Sequence, residues 1–447
     1  MRLIAMMLIL GVAGGSTGEV FAQQGPPARF AIQGVTIIDV ESGERVGDQT
    51  VVVTGNRITE VGPSAQVNAA RMRVIEGSGR FLIPGMWEMH AHALQHYGVD
   101  YAYGMDAFQL FIANGVTGVR DAGSAMDQVV AGRRRIAETG VAAPRIFAAG
   151  PILEGNGQSR FAPFTKVVTT PEEGRLAVTA LRDAGADWVK IHNALTRETY
   201  LAVAEEAAIW AIAFSGHVPE DVTMVEAAVA GQTSLEHLGA VFAYCTASRG
   251  QRVSIDREKC EAGLSELSLI GTFLGPTLVS AAPLTASDPR ASEDRLQYIK
   301  PSKVATWAPL PDAAPADRHD RYELSQELTR MASDAGVRLI VSTDTGGAYR
   351  VPGFASIDEL VELVNAGVST IDALRAGTLY PVMSLGLEDS LGTVKAGKLA
   401  DLVLLEGDPL ADIRNLRRIA AVVSDGRVFE GLDREALLFD VRRSAAR

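Results

Sequence analysis

His90 and His92 stand two residues apart in the segment GMWEMHAH, directly after a proline–glycine pair. Alternation along an extended strand turns residues i and i+2 to one face, so both imidazoles would point the same way, as two ligands of one metal ion must. An HxH pair alone is a weak signal, because histidines also occupy surfaces and cores where no metal binds. Three further residues strengthen it. His217 ends AIAFSGH, His237 lies in TSLEHL one strand–helix–strand step later, and Asp344 lies in VRLIVSTDTGG. Four of the chain's seven histidines therefore fall at the ends of apolar, strand-like runs. Imidazole nitrogen together with carboxylate oxygen is a donor set for zinc or another divalent transition ion. Lys190 raises a separate question. It interrupts the apolar run in ADWVKIHN, and an ammonium is costly to bury without a partner. Such a lysine pairs with a carboxylate, reaches its head to solvent, or loses its proton.

The segments that carry these residues alternate between two textures. GVTGVRDAG, PRIFAAGPIL, ADWVKIHN, AIAFSGH, TSLEHL, TFLGPTLVS and VRLIVSTDTGG read as strands, while TRETYLAVAEEAAI and PEDVTMVEAAVAG read as helices. Strand–helix repetition at this spacing implies right-handed crossovers and a parallel sheet. About eight strands over residues 86–383 favour an α/β fold of the (β/α)8 TIM-like barrel type, in which the C-terminal strand ends share one mouth where catalysis resides. Residues 241–334 hold one strand and much Pro, Asp, Ser and Arg, which predicts an excursion over that mouth. Residues 23–85 and 384–447 are short β-branched runs broken by Gly, Asn and Asp. Neither set has enough strands to bury a face alone, so a small β-sandwich built from both termini, with a C-terminal tail, is predicted.

Composition narrows the partners. A hydrophobic content of 47% with 21% charged residues describes a globular chain, and a net charge of −12 argues against nucleic acid or an anionic membrane. The basic cluster GRRRI reads as a solvated helix face. At the N-terminus, Arg2 precedes the apolar run LIAMMLILGVAGG, and Val20 and Ala22 occupy small-residue positions. This predicts a signal peptide over residues 1–22, cut after Ala22, with export to the periplasm if the source is Gram-negative. The run is shorter than the ~20 residues of a spanning helix, so no stable membrane insertion is expected after cleavage. Cys245 and Cys260 are the only cysteines. In an exported chain they permit a disulfide worth about 3 kcal/mol over a ~15-residue loop, with two unpaired thiols as the alternative.

HAH, WVKI, GHVP, EHL and STD, in that order between two β-rich flanks, resemble the amidohydrolase superfamily. Within it the chain is most similar to imidazolonepropionase-like and prolidase-like metal-dependent amidohydrolases. GVTGVRDAG and LGTVKAGKLADLVLLEGDPLADI also match that pattern, and the resemblance covers nearly the whole chain after residue 22. Its motifs are specific for superfamily and metal site and poorly specific for substrate. The resemblance implies a binuclear centre. His90 and His92 would bind one ion, His217 and His237 the other, a carboxylated Lys190 would bridge them, and Asp344 would be both ligand and general acid/base. The cofactors implied are two divalent ions, zinc foremost, and a CO2-derived carbamate on Lys190. A metal-bound hydroxide would attack an amide carbonyl while Asp344 carries its proton to the leaving amine.

The function implied is thus an exported hydrolase of carbon–nitrogen bonds, peptide bonds among them, cutting a dipeptide, an N-acyl amino acid or a cyclic amide. A lactone or ester hydrolase uses the same parts. A non-catalytic metal-binding barrel is the alternative from another class, and the filling of all six ligand positions argues against it. The partner is a small molecule, with homo-oligomerisation left open. His192, two residues past Lys190, would share its face and either touch substrate or hydrogen-bond a backbone carbonyl in the wall, and Tyr101, Tyr103 and Arg160 near the mouth are further substrate-contact candidates. Arg120 and Asp121 suggest a structural ion pair, His96 a supporting or surface role, and His319 a surface position. One departure stands out. Prolidase-like relatives often carry Gly-Gly-His after the third strand, whereas GPILEGNGQSRFAPF has no histidine.

Overall fold

The structure, a computed structural model, describes residues 29–95, 104–155, 164–249 and 252–447. Five strands open the described chain: β1 (Arg29–Ile38), β2 (Arg45–Thr54), β3 (Arg57–Pro63), β4 (Arg73–Glu76) and β5 (Phe81–Pro84). Then come β6 (Met86–Ala91), β7 (Val116–Asp121), β8 (Arg145–Ala148), β9 (Ile152–Glu154), β10 (Thr165–Val167), β11 (Trp188–Ile191), β12 (Ala213–Gly216) and β13 (Ser234–Glu236). A hairpin, β14 (Thr246–Arg249) and β15 (Arg252–Ile255), precedes β16 (Phe273–Gly275). The last strands are β17 (Leu402–Leu405), β18 (Ile419–Ser424) and β19 (Arg427–Glu430). Helices alternate with the strands of the middle region, and the fold is mixed α/β.

The two termini meet in one hydrogen-bonded sheet with the order β19-β18-β17-β5-β1-β2-β3, and β4 also pairs with β1. The junction is the antiparallel pair of β5 and β17, with Pro84 opposite Leu402 and Phe81 opposite Leu405. All four residues of β17 are buried, and period-2 alternation sends them to two different cores. Leu402 and Leu404 pack with Phe30, Ile32, Val51 and Leu82 inside the terminal sheet, whereas Val403 and Leu405 join the core of the middle region.

The middle region holds two all-parallel sheets, β6-β7-β8 and β10-β9-β11-β12-β13-β16. Backbone bonds link them at both ends. Asp187 N donates to Ala148 O at 2.9 Å, and the segment at 338–345 bonds to β16 on one side and β6 on the other, through Ile340 N to Leu274 O (2.9 Å) and Met89 N to Val341 O (2.8 Å). The run VRLIVSTDTGG, read as a strand, makes only isolated bridges at Leu339 and Thr345. Asp344 takes a left-handed backbone, φ 56°, which breaks a regular ladder at that point. Gly118 faces Trp87 across β6 and β7, where a Cβ would come within 2.3 Å of the indole.

Two helices of the middle region start at side-chain caps. Thr196 accepts from Thr199 N to open Arg197–Ile209, and Thr223 with Glu226 forms a capping box that starts a helix at Met224. That helix therefore begins later than PEDV suggests. Residues 241–334 are far more ordered than their composition implies. Besides the β14–β15 hairpin they contain the helices Arg257–Ile270 and Ala316–Asp334. The second buries Leu328, Met331 and Ala332 with Ser325 and Thr329, so two hydroxyls interrupt the apolar stripe that would announce it. Cys245 and Cys260 are joined in a disulfide, with both side chains fully buried. The C-terminal tail is a helix, Leu432–Ala445, whose Arg434 donates to Ala113 O at 2.6 Å.

Candidate metal centre

The six residues read as ligands come from four strand ends and one bridged segment. His90 lies in β6 and His92 just after it, Lys190 lies in β11, His217 and His237 follow β12 and β13, and Asp344 follows the bridge at Leu339. All six line one cavity of about 240 Å³, together with Gln95, His192 and Arg350 among others. Local backbone sets several of these positions. Gly216 sits at φ 136°, and a Cβ there would lie 2.2 Å from Ile191 O. Only glycine lets β12 approach β11 so closely that His217 N bonds to Ile191 O at 3.1 Å, beside Lys190. His237 and Asp344 both hold positive φ, 61° and 56°. Non-glycine residues in this region cost of order 1–3 kcal/mol each and cluster at functional sites.

His90, His92 and Asp344 form the tightest group, offering one ligand atom each within 4.8 Å of one another. His92 Nε2 is 3.1 Å and His90 Nε2 3.7 Å from Asp344 Oδ1. The rest of each side chain is anchored. His90 Nδ1 donates to Glu236 Oε2 at 2.7 Å, which leaves the Nε2 lone pair facing the cavity. Gln95 Nε2 lies 2.9 Å from His92 Nδ1. Arg350 donates from Nε to Asp344 O at 2.9 Å and lies 3.2 Å from its Oδ2. Burial works against the charge of Asp344, yet the hydrogen bond from His92 and the charge of Arg350 help hold its carboxyl well below the usual range.

Beyond Lys190 the character changes. The His237 ring lies 4.8 Å from both His90 and His217, and His217 lies 4.1 Å from His192. Lys190 is 1% exposed, and its Nζ has no hydrogen-bond partner; nor has His217 Nδ1. Burial, helped by the charge of Arg120, brings the Lys190 amine down to about 8. Burial and the nearby Lys190 and His237 keep His90 and His217 well below the usual imidazole range, and burial brings His237 down to about 4. The imidazoles of His90, His217 and His237 are thus neutral at neutral pH, the form that ligates metal. Buried polar atoms are normally bonded. Two that are not, in a cavity with three further convergent ligand atoms, fit a site for divalent ions.

Several partners carry no motif in sequence. Arg120 was read with Asp121, its neighbour; the structure pairs it instead with Glu236. Its guanidinium also donates to Met89 O (2.7 Å) and Ser234 Oγ (3.0 Å) and lies over Trp188. Asp121 instead accepts from Leu94 N and Ser124 Oγ. Successive strand residues point to opposite faces, so adjacent Arg120 and Asp121 cannot both turn inward. Glu88 is wholly buried beneath the HxH pair, accepting from His90 N, Thr343 N, Thr343 Oγ1 and Ser356 Oγ. Burial pushes its carboxyl up to about 7 despite those bonds. Its position two residues before His90 was the available signal. His192 lines the cavity with Nδ1 2.5 Å from Glu154 Oε2, and His319 is exposed. Tyr101, Tyr103, Arg160 and His96 lie outside the described residues.

A parallel α/β scaffold with histidines and an aspartate converging from its strand ends defines a class. The chain belongs to the amidohydrolase family, whose model matches residues 81–429, a family of hydrolases acting on carbon–nitrogen bonds. Among its relatives, an adenine deaminase of Chelativorans sp. (strain BNC1) is 24% identical over 383 residues, covering 84% of this chain and 54% of that protein. The chain spans about half the length of the curated relatives it matches over most of its own length. Among the solved structures that share the fold, two are similar over most of the chain. A bottromycin amidohydrolase has a TM-score of 0.71 at 23% identity, covering 94% of this chain and 91% of the other. A Xaa-Pro dipeptidase with methionine bound in its active site has a TM-score of 0.69 at 22% identity, covering 90% and 100%.

Proposed function

We propose that the chain is an exported binuclear metal-dependent hydrolase that cleaves the carbon–nitrogen bond of a small amide. In this reading the parallel strands close into a (β/α)8 barrel over residues 86–383, and residues 23–85 and 384–447 form a small β-sandwich. The observation that carries it is Lys190, whose buried Nζ lacks any partner in a cavity walled by His90, His92, His217, His237 and Asp344. His90 and His92 would hold one ion, His217 and His237 the other, and Asp344 would contribute to the first. Lys190 completes the set as a carbamate: its neutral amine adds to carbon dioxide and loses one proton, exchanging a buried cation for an anion. Divalent ions held there, zinc foremost, would supply an acidified water and polarisation of the substrate carbonyl. Asp344, oriented by Arg350, accepts the proton of the attacking water and passes it to the nitrogen as the C–N bond breaks. The buried disulfide is consistent with an oxidising compartment, as a leader over residues 1–22 requires.

The deaminase relatives favour a second reading, attack at an amidine carbon with release of ammonia. One experiment weighs both. Metal content of the chain from residue 23 is measured alongside turnover of dipeptides, N-acyl amino acids, cyclic amides, lactones and adenine. Two ions per chain with amide cleavage is the expected result. A chain that binds no metal, or is metal-loaded yet inert to the whole panel, would overturn the proposal.

A further inference from the structure

A second cavity, of about 330 Å³, lies beside the metal centre and shares two of its walls, His217 and His237. Its other surfaces are mostly hydrocarbon. Val218, Pro219 and Val222 come from the loop after β12, and Ala240 and Ala243 from the helix Gly239–Cys245. The two alanines are three residues apart and so occupy one helix face, with Ala240 half-buried and Ala243 exposed at the rim. The wall they form is fixed, because Cys245 at the end of that helix is tied to Cys260. The carboxylates at this cavity do not make it polar inside. Glu236 is already engaged by Arg120 and His90, and Glu220 is solvent-exposed. The opposite end of the metal cavity differs in kind, being lined by the Arg350 guanidinium and the backbone of Gly346 and Gly347.

The metal centre is thus flanked by walls of two kinds, a cationic one at Arg350 and an apolar one beyond His217 and His237. We infer that the apolar chamber takes a hydrophobic substituent of the amide substrate, a branched aliphatic or aryl group that passes His217 and His237 on its way in. This deepens the hydrolase reading above and rests on it. The volume lies within the range of small-molecule pockets and suits a side group rather than a whole polymer. Transfer of such a group from water is the favourable term, and each added carbon that fits contributes to it.

Hydroxamates, which chelate metal and carry a variable substituent, test this without turnover. Binding of acetohydroxamate, 4-methylpentanohydroxamate and phenylacetohydroxamate to the zinc-loaded chain is measured by titration calorimetry, for wild type, Ala243→Trp and Ala243→Leu. The larger probes should bind wild type at least about tenfold more tightly than acetohydroxamate. That ratio should shrink in Ala243→Leu and fall towards one in Ala243→Trp. A wild-type ratio near one, or a ratio unchanged in both folded variants, would overturn the chamber and leave the hydrolase reading standing. Binding of no hydroxamate at all would remove both. The expected ratios together with an inert amide panel would remove the hydrolase reading and keep the chamber.

Discussion

The two halves of the centre are built differently. Around His90, His92 and Asp344 each side chain is anchored by its neighbours: Glu236 on His90, Gln95 on His92, Arg350 on the backbone and carboxylate of Asp344. Around Lys190 and His217 two buried polar atoms have no hydrogen-bond partner at all. The first half is an arrangement the fold completes by itself. The second is held in place by backbone, through Gly216 and the close approach of β11 and β12, while its chemistry stays incomplete. An unpaired buried ammonium is among the costlier things a core can contain. Its retention at Lys190 fits an amine meant to be converted or complexed rather than one meant to stabilise the fold.

Four substitutions would sharpen or break that contrast. The largest effect is expected at Asp344, where Asn keeps the left-handed backbone accessible but removes the proton acceptor. Asp344→Asn should lower kcat by about 10²–10⁴ while retaining most of the metal, and near-normal kcat on a cleaved amide would remove the acid/base role. Next comes Lys190→Met, which substitutes an apolar chain of similar length for the orphan amine. Metal content should fall from two ions to one, with the melting temperature of the metal-free protein unchanged or raised; a marked drop in that temperature would show the amine to be structural. Third, Glu236→Gln should weaken zinc affinity about 10–100-fold by loosening His90, read by chelator competition below the melting temperature, since Arg120 loses a buried partner. An unchanged affinity would make the pair purely structural. The smallest effect belongs to Arg350→Met, expected to reduce kcat by about tenfold through misplacement of Asp344 with metal content intact. A rise in KM alone would instead make Arg350 a substrate contact.

What was legible in the sequence and what was not divides along a physical line. His90, His92, His217, His237 and Asp344 stand where apolar runs end, and strand ends in a parallel sheet converge whatever the details of register. Period-2 alternation alone places His192 on the face of Lys190. The partners are another matter. Glu236 meets Arg120 and His90 across three strands, and Arg350 reaches Asp344 from an irregular loop. Such meetings depend on register and rotamer, which no spacing encodes. The helices of residues 257–270 and 316–334 were hidden for a simpler reason: their buried positions mix small, polar and apolar residues, and their many charges resemble a loop. The strands of the termini, by contrast, were plain, because β-branched runs there alternate into a core at every second residue.

The short strand Leu402–Leu405 gives two cores a common wall, odd residues to one and even residues to the other. A chain joined in this way has no place where scissors can fall cleanly. A fragment ending before residue 402 would leave hydrocarbon bare on both sides of the missing strand, and so would fold as neither a lone catalytic body nor a lone sheet. Whoever splits this protein for expression, or looks for the ancestral unit to which a terminal module was added, will find that the catalytic region and the sheet share a single piece of architecture and must be inherited together.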